Sequence, residues 1–200
     1  MEQVCQVFRL AVCQVLTTTD KPQNLLSAAR LISAAVLNRA EIVVLPEMWN
    51  TPFTPSYFIS HAEPPCGPSY EFMKLQAQTH KIYLVGGSIP VLRDEKIFNT
   101  SYVFDPAGSL IATYSKTHLF DIDIPGQIKS KESDTIGPGD SFVTFSTKWC
   151  KFGLGICYDV RFPLQALIYR KRGCKVLVYP AAFNLTTGPV HFEKLAVARA

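Results

Sequence analysis

The chain has 200 residues, of which 48% are hydrophobic and 18% charged, and a formal net charge of +4. Such a chain can bury one sizeable core. Its cations are scattered, and the densest cluster, Arg170, Lys171 and Arg172 ahead of Gly173, fits the last turn of a helix, which argues against a nucleic-acid-binding stripe.

The first sixteen positions interleave Glu2, Gln3, Gln6, Arg9 and Gln14 with apolar residues, so a strand is expected there in place of a secretory signal. No uncharged apolar run approaches the roughly 20 residues of a bilayer span. The six cysteines, Cys5, Cys13, Cys66, Cys150, Cys157 and Cys174, form no C-x-x-C pair. A reduced compartment, cytoplasmic or mitochondrial matrix, is therefore expected, with neither a zinc site nor a disulfide framework.

Residues 7–15 are rich in strand formers, and Asp20 then caps a helix whose apolar positions Leu25, Ala28, Ala29, Leu31, Ile32, Ala35 and Val36 follow helical spacing. The apolar run 42–45 reads as a strand buried on both faces and ends at Pro46-Glu47. A helix over residues 69–80 precedes strands at 82–89, 97–104 and 110–114, with turns at Arg93-Asp94-Glu95-Lys96 and Asp105-Pro106-Ala107-Gly108 that read as hairpins. Residues 115–141 hold Pro125, Gly126, Gly137, Pro138 and Gly139 and read as a long loop, a candidate for function. Further strands are expected at 142–145, 151–156 and 176–179, with a helix over 162–172 closed by Gly173 and another opening near Val190. Strands alternating with helices at both ends, with hairpins between, give an α/β class with a mixed sheet under helices.

Three chemical groups fall where strands stop. Cys157 follows the strand 151–156 and precedes Pro163, which suits a helix start, so its thiol stands on a sharp turn where the N–H of Tyr158 can face an oxyanion. A small apolar core cysteine fits the local pattern equally. Glu47 ends the strand 42–45, where partial desolvation would suit a general base; a capping or surface glutamate is the alternative. Lys116 follows the strand 110–114, and only that placement distinguishes it from a solvated charge. Of the four histidines, His118 alone stands near these segments and is the reserve base. Carboxylate, ammonium and thiol at three strand ends would form a base, an oxyanion stabiliser and a nucleophile.

The segments Leu45-Pro46-Glu47, Tyr114-Ser115-Lys116-Thr117-His118-Leu119-Phe120 and Gly155-Ile156-Cys157-Tyr158-Asp159-Val160-Arg161-Phe162-Pro163 resemble, in order, the signatures of the nitrilase superfamily of carbon–nitrogen hydrolases. Phe120-Asp121-Ile122-Asp123-Ile124-Pro125-Gly126 and residues 179–189 are similar to its omega-amidase branch. The resemblance implies an α-β-β-α sandwich, a single domain over residues 1–200 that is incomplete at its C-terminus, and a Glu-Lys-Cys triad. In it Glu47 is the base, Lys116 the oxyanion-stabilising cation and Cys157 the nucleophile, with Glu132 orienting the lysine.

No metal or organic cofactor is implied, and the expected partners are a small amide substrate and a second copy of the chain in a homodimer, with no nucleic acid and no membrane. The expected substrates are short dicarboxylic acid monoamides, 2-oxoglutaramate and 2-oxosuccinamate. Arg161 is the candidate for their carboxylate, against a structural ion pair with Asp159 or Glu193. Tyr158 and Phe183 are candidate substrate contacts, Phe183 fitting a core position as well. Phe53 and Phe192 depart from the Tyr and Trp usual in such amidases. Two other readings are an amidase for deaminated glutathione or another small amide, and a non-catalytic truncated interaction module.

Overall fold

The computed structural model describes residues 7–200; positions 1–6, including Cys5 and the opening of the expected first strand, lie outside the described residues. Strand β1 (Leu10–Val12) leads into helix α1 (Lys21–Leu37) and then β2 (Ile42–Val44), which lies parallel to β1. Asp20 caps α1 by accepting the N–H of Gln23, and Asn24, Ala28 and Ile32 at four-residue spacing form its buried face. Two helices follow, α2 (Pro55–His61) and α3 (Pro68–His80), each with proline in its first turn. Helix α2 was not legible as a periodic segment, because its seven residues bury only Phe58.

The apolar run 82–89 is two strands, not one: β3 (Tyr83–Val85) and β4 (Ile89–Arg93). Gly87 turns the chain between them at φ 61°, a left-handed conformation that favours glycine. A two-residue turn with Asp94 and Glu95 both at positive φ joins β4 to β5 (Lys96–Phe104), which pairs in turn with β6 (Leu110–Ser115).

The segment expected as a long loop has its own structure. It contains a hairpin of β7 (Asp121–Ile124) and β8 (Ile128–Lys131), a 3-10 turn (Glu132–Asp134), and β9 (Ile136–Gly137) parallel to β5. The hairpin strands alternate exposed and half-buried residues, so their composition resembles that of a solvated loop. Beyond it come β10 (Val143–Ser146), β11 (Lys151–Leu154), a 3-10 turn (Cys157–Arg161), α4 (Pro163–Lys171), β12 (Val176–Val178) and α5 (Gly188–Arg199).

One sheet has seven strands, in the order β1-β2-β3-β5-β4 with β6 and β9 also paired to β5, and a second is β10-β11-β12. The alternation of side chains along β2 builds both cores. Val43 packs with Ala28 and Ile32 of α1 and Met73 and Ala77 of α3, whereas Ile42 and Val44 pack with Phe145, Phe152 and Leu154 of the second sheet. Helix α4 covers that sheet from outside, and the hydroxyl of its buried Tyr169 donates to the Leu154 carbonyl. The layers are therefore helix, sheet, sheet, helix, the α-β-β-α sandwich. Among the described residues, no helix is long and apolar enough to cross a membrane.

Candidate active site

Glu47, Lys116 and Cys157 follow β2, β6 and β11, and the two sheets bring these strand ends together. β2 is parallel to β3, and β3 and β6 both run antiparallel to β5, so β2 and β6 point the same way and their C-terminal ends lie on one edge of the first sheet. Past β2, the Leu45 N–H donates to the Val85 carbonyl, and Met48 takes φ 49° while its N–H donates to the Ser88 hydroxyl. This kink turns the Glu47 side chain inward. Lys116 is held by its own N–H on the Asn99 carbonyl at 2.9 Å and by the Gly139 N–H on its carbonyl at 2.8 Å.

Cys157 itself stands at φ 44°, an uncommon conformation for a residue with a side chain, and its N–H donates to the Pro180 carbonyl at 2.8 Å. Left-handed backbone at a buried thiol and beside a buried carboxylate is the kind of strain that clusters at functional sites.

The side chains form one cluster. Lys116 Nζ donates to Glu47 Oε1 and to Glu132 Oε2, each at 2.8 Å, and all three groups are sealed from solvent. Glu132 reaches this point from the 3-10 turn after β8, where its Oε2 also accepts the Phe120 N–H at 2.7 Å. Two further donors complete the cluster: Asn99 Nδ2 bonds Glu47 Oε1 at 2.9 Å and Glu132 Oε1 at 3.2 Å, and the Ala182 N–H bonds Glu47 Oε2 at 3.1 Å. The Cys157 thiol faces the Glu47 carboxylate.

Two carboxylates share a single ammonium, and the electrostatics follow from that imbalance. Burial raises the Glu47 carboxyl above its ordinary value, and Glu132 adds to the rise against the opposing pull of Lys116. Burial would lower Lys116, but the carboxylates of Glu47 and Glu132 outweigh it and hold the ammonium charged. The Cys157 thiol is pushed well above its ordinary value by burial first and by Glu47 second. The resting arrangement is a neutral thiol beside a carboxylate with raised basicity, which is the pairing a general base and a nucleophile need.

A third carboxylate ties the lysine segment to the nucleophile turn. Asp159 is fully buried and accepts the Ile156 N–H at 2.8 Å, the Tyr114 hydroxyl at 2.6 Å, the Thr117 hydroxyl at 3.1 Å and the His118 N–H at 3.0 Å. His118, the reserve base, is bound here: its Nδ1 lies 2.7 Å from Asp159 Oδ1 and its ring stacks on Phe162 at 3.6 Å. It is thus committed to Asp159, away from the thiol. The sequence reading missed Asp159, Asn99 and the Ala182 N–H as members of the site. Asn99 did carry a signal, since Asn99-Thr100-Ser101 is a polar run within a strand whose C-terminal half is buried.

Arg161 forms no ion pair with Asp159 or Glu193; its Nη1 lies 3.1 Å from His191 Nδ1, and its guanidinium sits 5.3 Å from the Tyr158 ring and 5.9 Å from the Phe183 ring. Its Nε is buried without a hydrogen-bond partner. Tyr158 packs against Phe120 and Phe162, and Phe183 against Phe192. Phe53 places its ring 5.9 Å from Lys116 Nζ, so one of the two unusual aromatics borders the cluster and the other borders Phe183. A cavity of about 930 Å³ reaches Cys157 from the side of α4 and α5, past Val160, Ala181, Phe183 and Phe192. Neither Glu47 nor Lys116 lines it. The described residues hold no group of three His, Cys, Asp or Glu side chains that could bind a metal ion.

The sequence matches the carbon-nitrogen hydrolase family over residues 9–200, and the chain belongs to that family. It is similar to the mouse omega-amidase NIT2, with 51% identity over 193 residues that cover 96% of this chain and 70% of that protein. A Schizosaccharomyces pombe hydrolase is 49% identical over 98% of this chain, which spans only 61% of that relative's length. Among solved structures, Saccharomyces cerevisiae Nit3, a member of branch 10 of the nitrilase superfamily, superposes with a TM-score of 0.88 at 39% identity, covering 96% of this chain and 70% of that one.

Proposed function

We propose that the protein is an amidase that hydrolyses the terminal amide of short dicarboxylic acid monoamides, 2-oxoglutaramate and 2-oxosuccinamate, through a thioester on Cys157. The observation that carries this reading is the sealed Glu47–Lys116–Glu132 cluster facing a thiol held at positive φ. Glu47 takes the thiol proton, and sulfur attacks the amide carbonyl to give a tetrahedral oxyanion. Lys116 and the Tyr158 N–H stabilise that oxyanion; donors of this kind are each worth about 2.7–4 kcal/mol of barrier. The C–N bond breaks and ammonia leaves with the proton from Glu47. Glu47 then removes a proton from water as it attacks the thioester, so one carboxyl group serves as base, acid and base again. Glu132 holds the Lys116 ammonium in place throughout.

The choice of substrate class is supported by the omega-amidase name of the relatives and by Arg161, a guanidinium without a carboxylate partner four residues after the nucleophile. A fork of this kind binds a substrate carboxylate, with Tyr158 and Phe183 as its apolar walls. We also propose action as a homodimer in the cytoplasm. The self-association is supported by exposed Leu164 and Leu167 on α4 and Val190 and Val197 on α5, and sedimentation would test it.

Ammonia release from the two oxo-amides, from deaminated glutathione and from neutral amides tests the activity. The oxo-amides should be turned over with the highest kcat/KM. Arg161→Lys should raise KM for the carboxylated amides far more than for neutral ones, and equal effects on both would remove Arg161 from substrate recognition.

A further inference from the structure

The two oxygens of Glu47 are not equivalent. Oε1 accepts from Lys116 Nζ at 2.8 Å and from Asn99 Nδ2 at 2.9 Å, whereas Oε2 accepts from the Ala182 N–H alone among these donors, at 3.1 Å. A carboxylate oxygen offers about two lone-pair directions. Oε1 is therefore filled, and Oε2 retains one open site.

Asn99 is what completes the filling. It is fully buried on β5, next to Lys116, whose N–H it receives on its own carbonyl. Its Nδ2 spans Glu47 Oε1 and Glu132 Oε1, while its Oδ1 is buried without a partner. The reverse orientation of the carboxamide would set an oxygen against two carboxylate oxygens, so the neighbours fix which atom is nitrogen. Leaving Oδ1 unpaired is the consequence of giving both N–H groups to the carboxylates.

We propose that Asn99 is a positioning residue that directs the catalytic proton to Oε2 of Glu47 and holds Glu47 ionised as the base. This deepens the reading of Glu47 as the base for Cys157 and rests on it. In the step concerned, the S–H bond of Cys157 breaks, an O–H bond forms at Oε2, and the electron pair stays on sulfur. Lys116 and Asn99 remain on Oε1, so the ammonium keeps its place for the oxyanion while the proton comes and goes on the other oxygen.

The charged and titratable groups that face Glu47 are Lys116 after β6, Glu132 in the 3-10 turn after β8, and Cys157 after β11. Asn99 from β5 and the Ala182 N–H from the segment after β12 are its neutral donors. Removing a donor to the ionised form raises a carboxyl pKa. In Asn99→Ala, the pH at which Glu47 becomes an active base should therefore move upward by about one unit, the size expected for a lost hydrogen bond to a charged acceptor. Asn99→Asp keeps the shape and adds a third carboxyl group, and it should move the limb further in the same direction.

The test is the rate of Cys157 alkylation by iodoacetamide from pH 4 to 9 in the full chain, resolved by peptide mass spectrometry so that the other cysteines do not contribute. An acid limb that rises in both variants supports the proposal. A lowered rate with the limb unmoved would overturn it, because a merely structural asparagine changes amplitude without changing that pH. If Asn99→Ala fails to fold, the near-isosteric and uncharged Asn99→Leu gives the same decision, because it removes both N–H donors without adding a charge. This readout needs no amide turnover. A shifted limb with no amide hydrolysed would sink the substrate reading alone, and hydrolysis with an unshifted limb would sink the role of Asn99 alone.

Discussion

Lys116 concentrates the energetic problem of the site, since it is an ammonium without solvent exposure that stands between two carboxylates. Buried ion pairs gain little over an apolar core of the same shape, but removing one partner strands the others at a cost of roughly 3–5 kcal/mol. Lys116→Ala should therefore lose both activity and stability, the latter by about that amount in denaturant unfolding. Cys157→Ala should lose activity alone, because the thiol is neutral at rest and leaves no charge unpaired. A Lys116→Ala protein as stable as its parent would mean that Glu47 and Glu132 tolerate their proximity without the ammonium.

Single elements place these groups to within hydrogen-bond distances, and the turn between β3 and β4 shows how. A Cβ on Gly87 would lie 2.1 Å from the Pro46 carbonyl oxygen, one residue before Glu47, whereas a Cβ on Gly126, at a similar positive φ of 73°, meets nothing within 4 Å. Gly87→Ala should reduce kcat tenfold or more and destabilise the fold by more than the ~1 kcal/mol expected of Gly126→Ala, whose activity should be unchanged. Activity assays beside thermal unfolding separate the two, and equal losses would show that only backbone strain matters.

The same turn marks what the sequence could and could not tell. An apolar run from 82 to 89 looks continuous in composition, and nothing local says that Gly87 must kink to clear Pro46. The strand ends at Glu47, Lys116 and Cys157 were legible because buried strands stop at proline or at a polar residue. Asn99 and Asp159 were not, since their roles depend on pairings across 52 residues to Glu47 and 41 residues to His118. The hairpin β7–β8 was missed because half-exposed strands with charged faces carry the composition of a loop.

Across the whole molecule, the titration of buried groups sets a limit on the alkaline side. Burial holds Cys157 well above the ordinary thiol value of 9.0, and burial likewise pushes Tyr102 and Tyr169 up to about 12 and raises Tyr114 and Tyr179. Lys116 is raised by its carboxylates. In each case the folded state keeps a proton that the unfolded chain releases, so the stabilisation is complete below the unfolded value and is lost as pH rises. Between about pH 9 and pH 12 the thermal midpoint, measured by circular dichroism, should fall steadily; a midpoint at pH 11 unchanged from that at pH 9 would contradict the burial of these groups. The central claim is that this sandwich brings Glu47, Lys116 and Cys157 together to form a thioester. Its most direct measurement is intact-protein mass spectrometry after rapid acid quench with 2-oxoglutaramate. The account predicts an added mass equal to substrate less ammonia, mapped to Cys157 and absent from Cys157→Ala. Ammonia released with the thiol unmodified throughout, or released equally by Cys157→Ala, would contradict it.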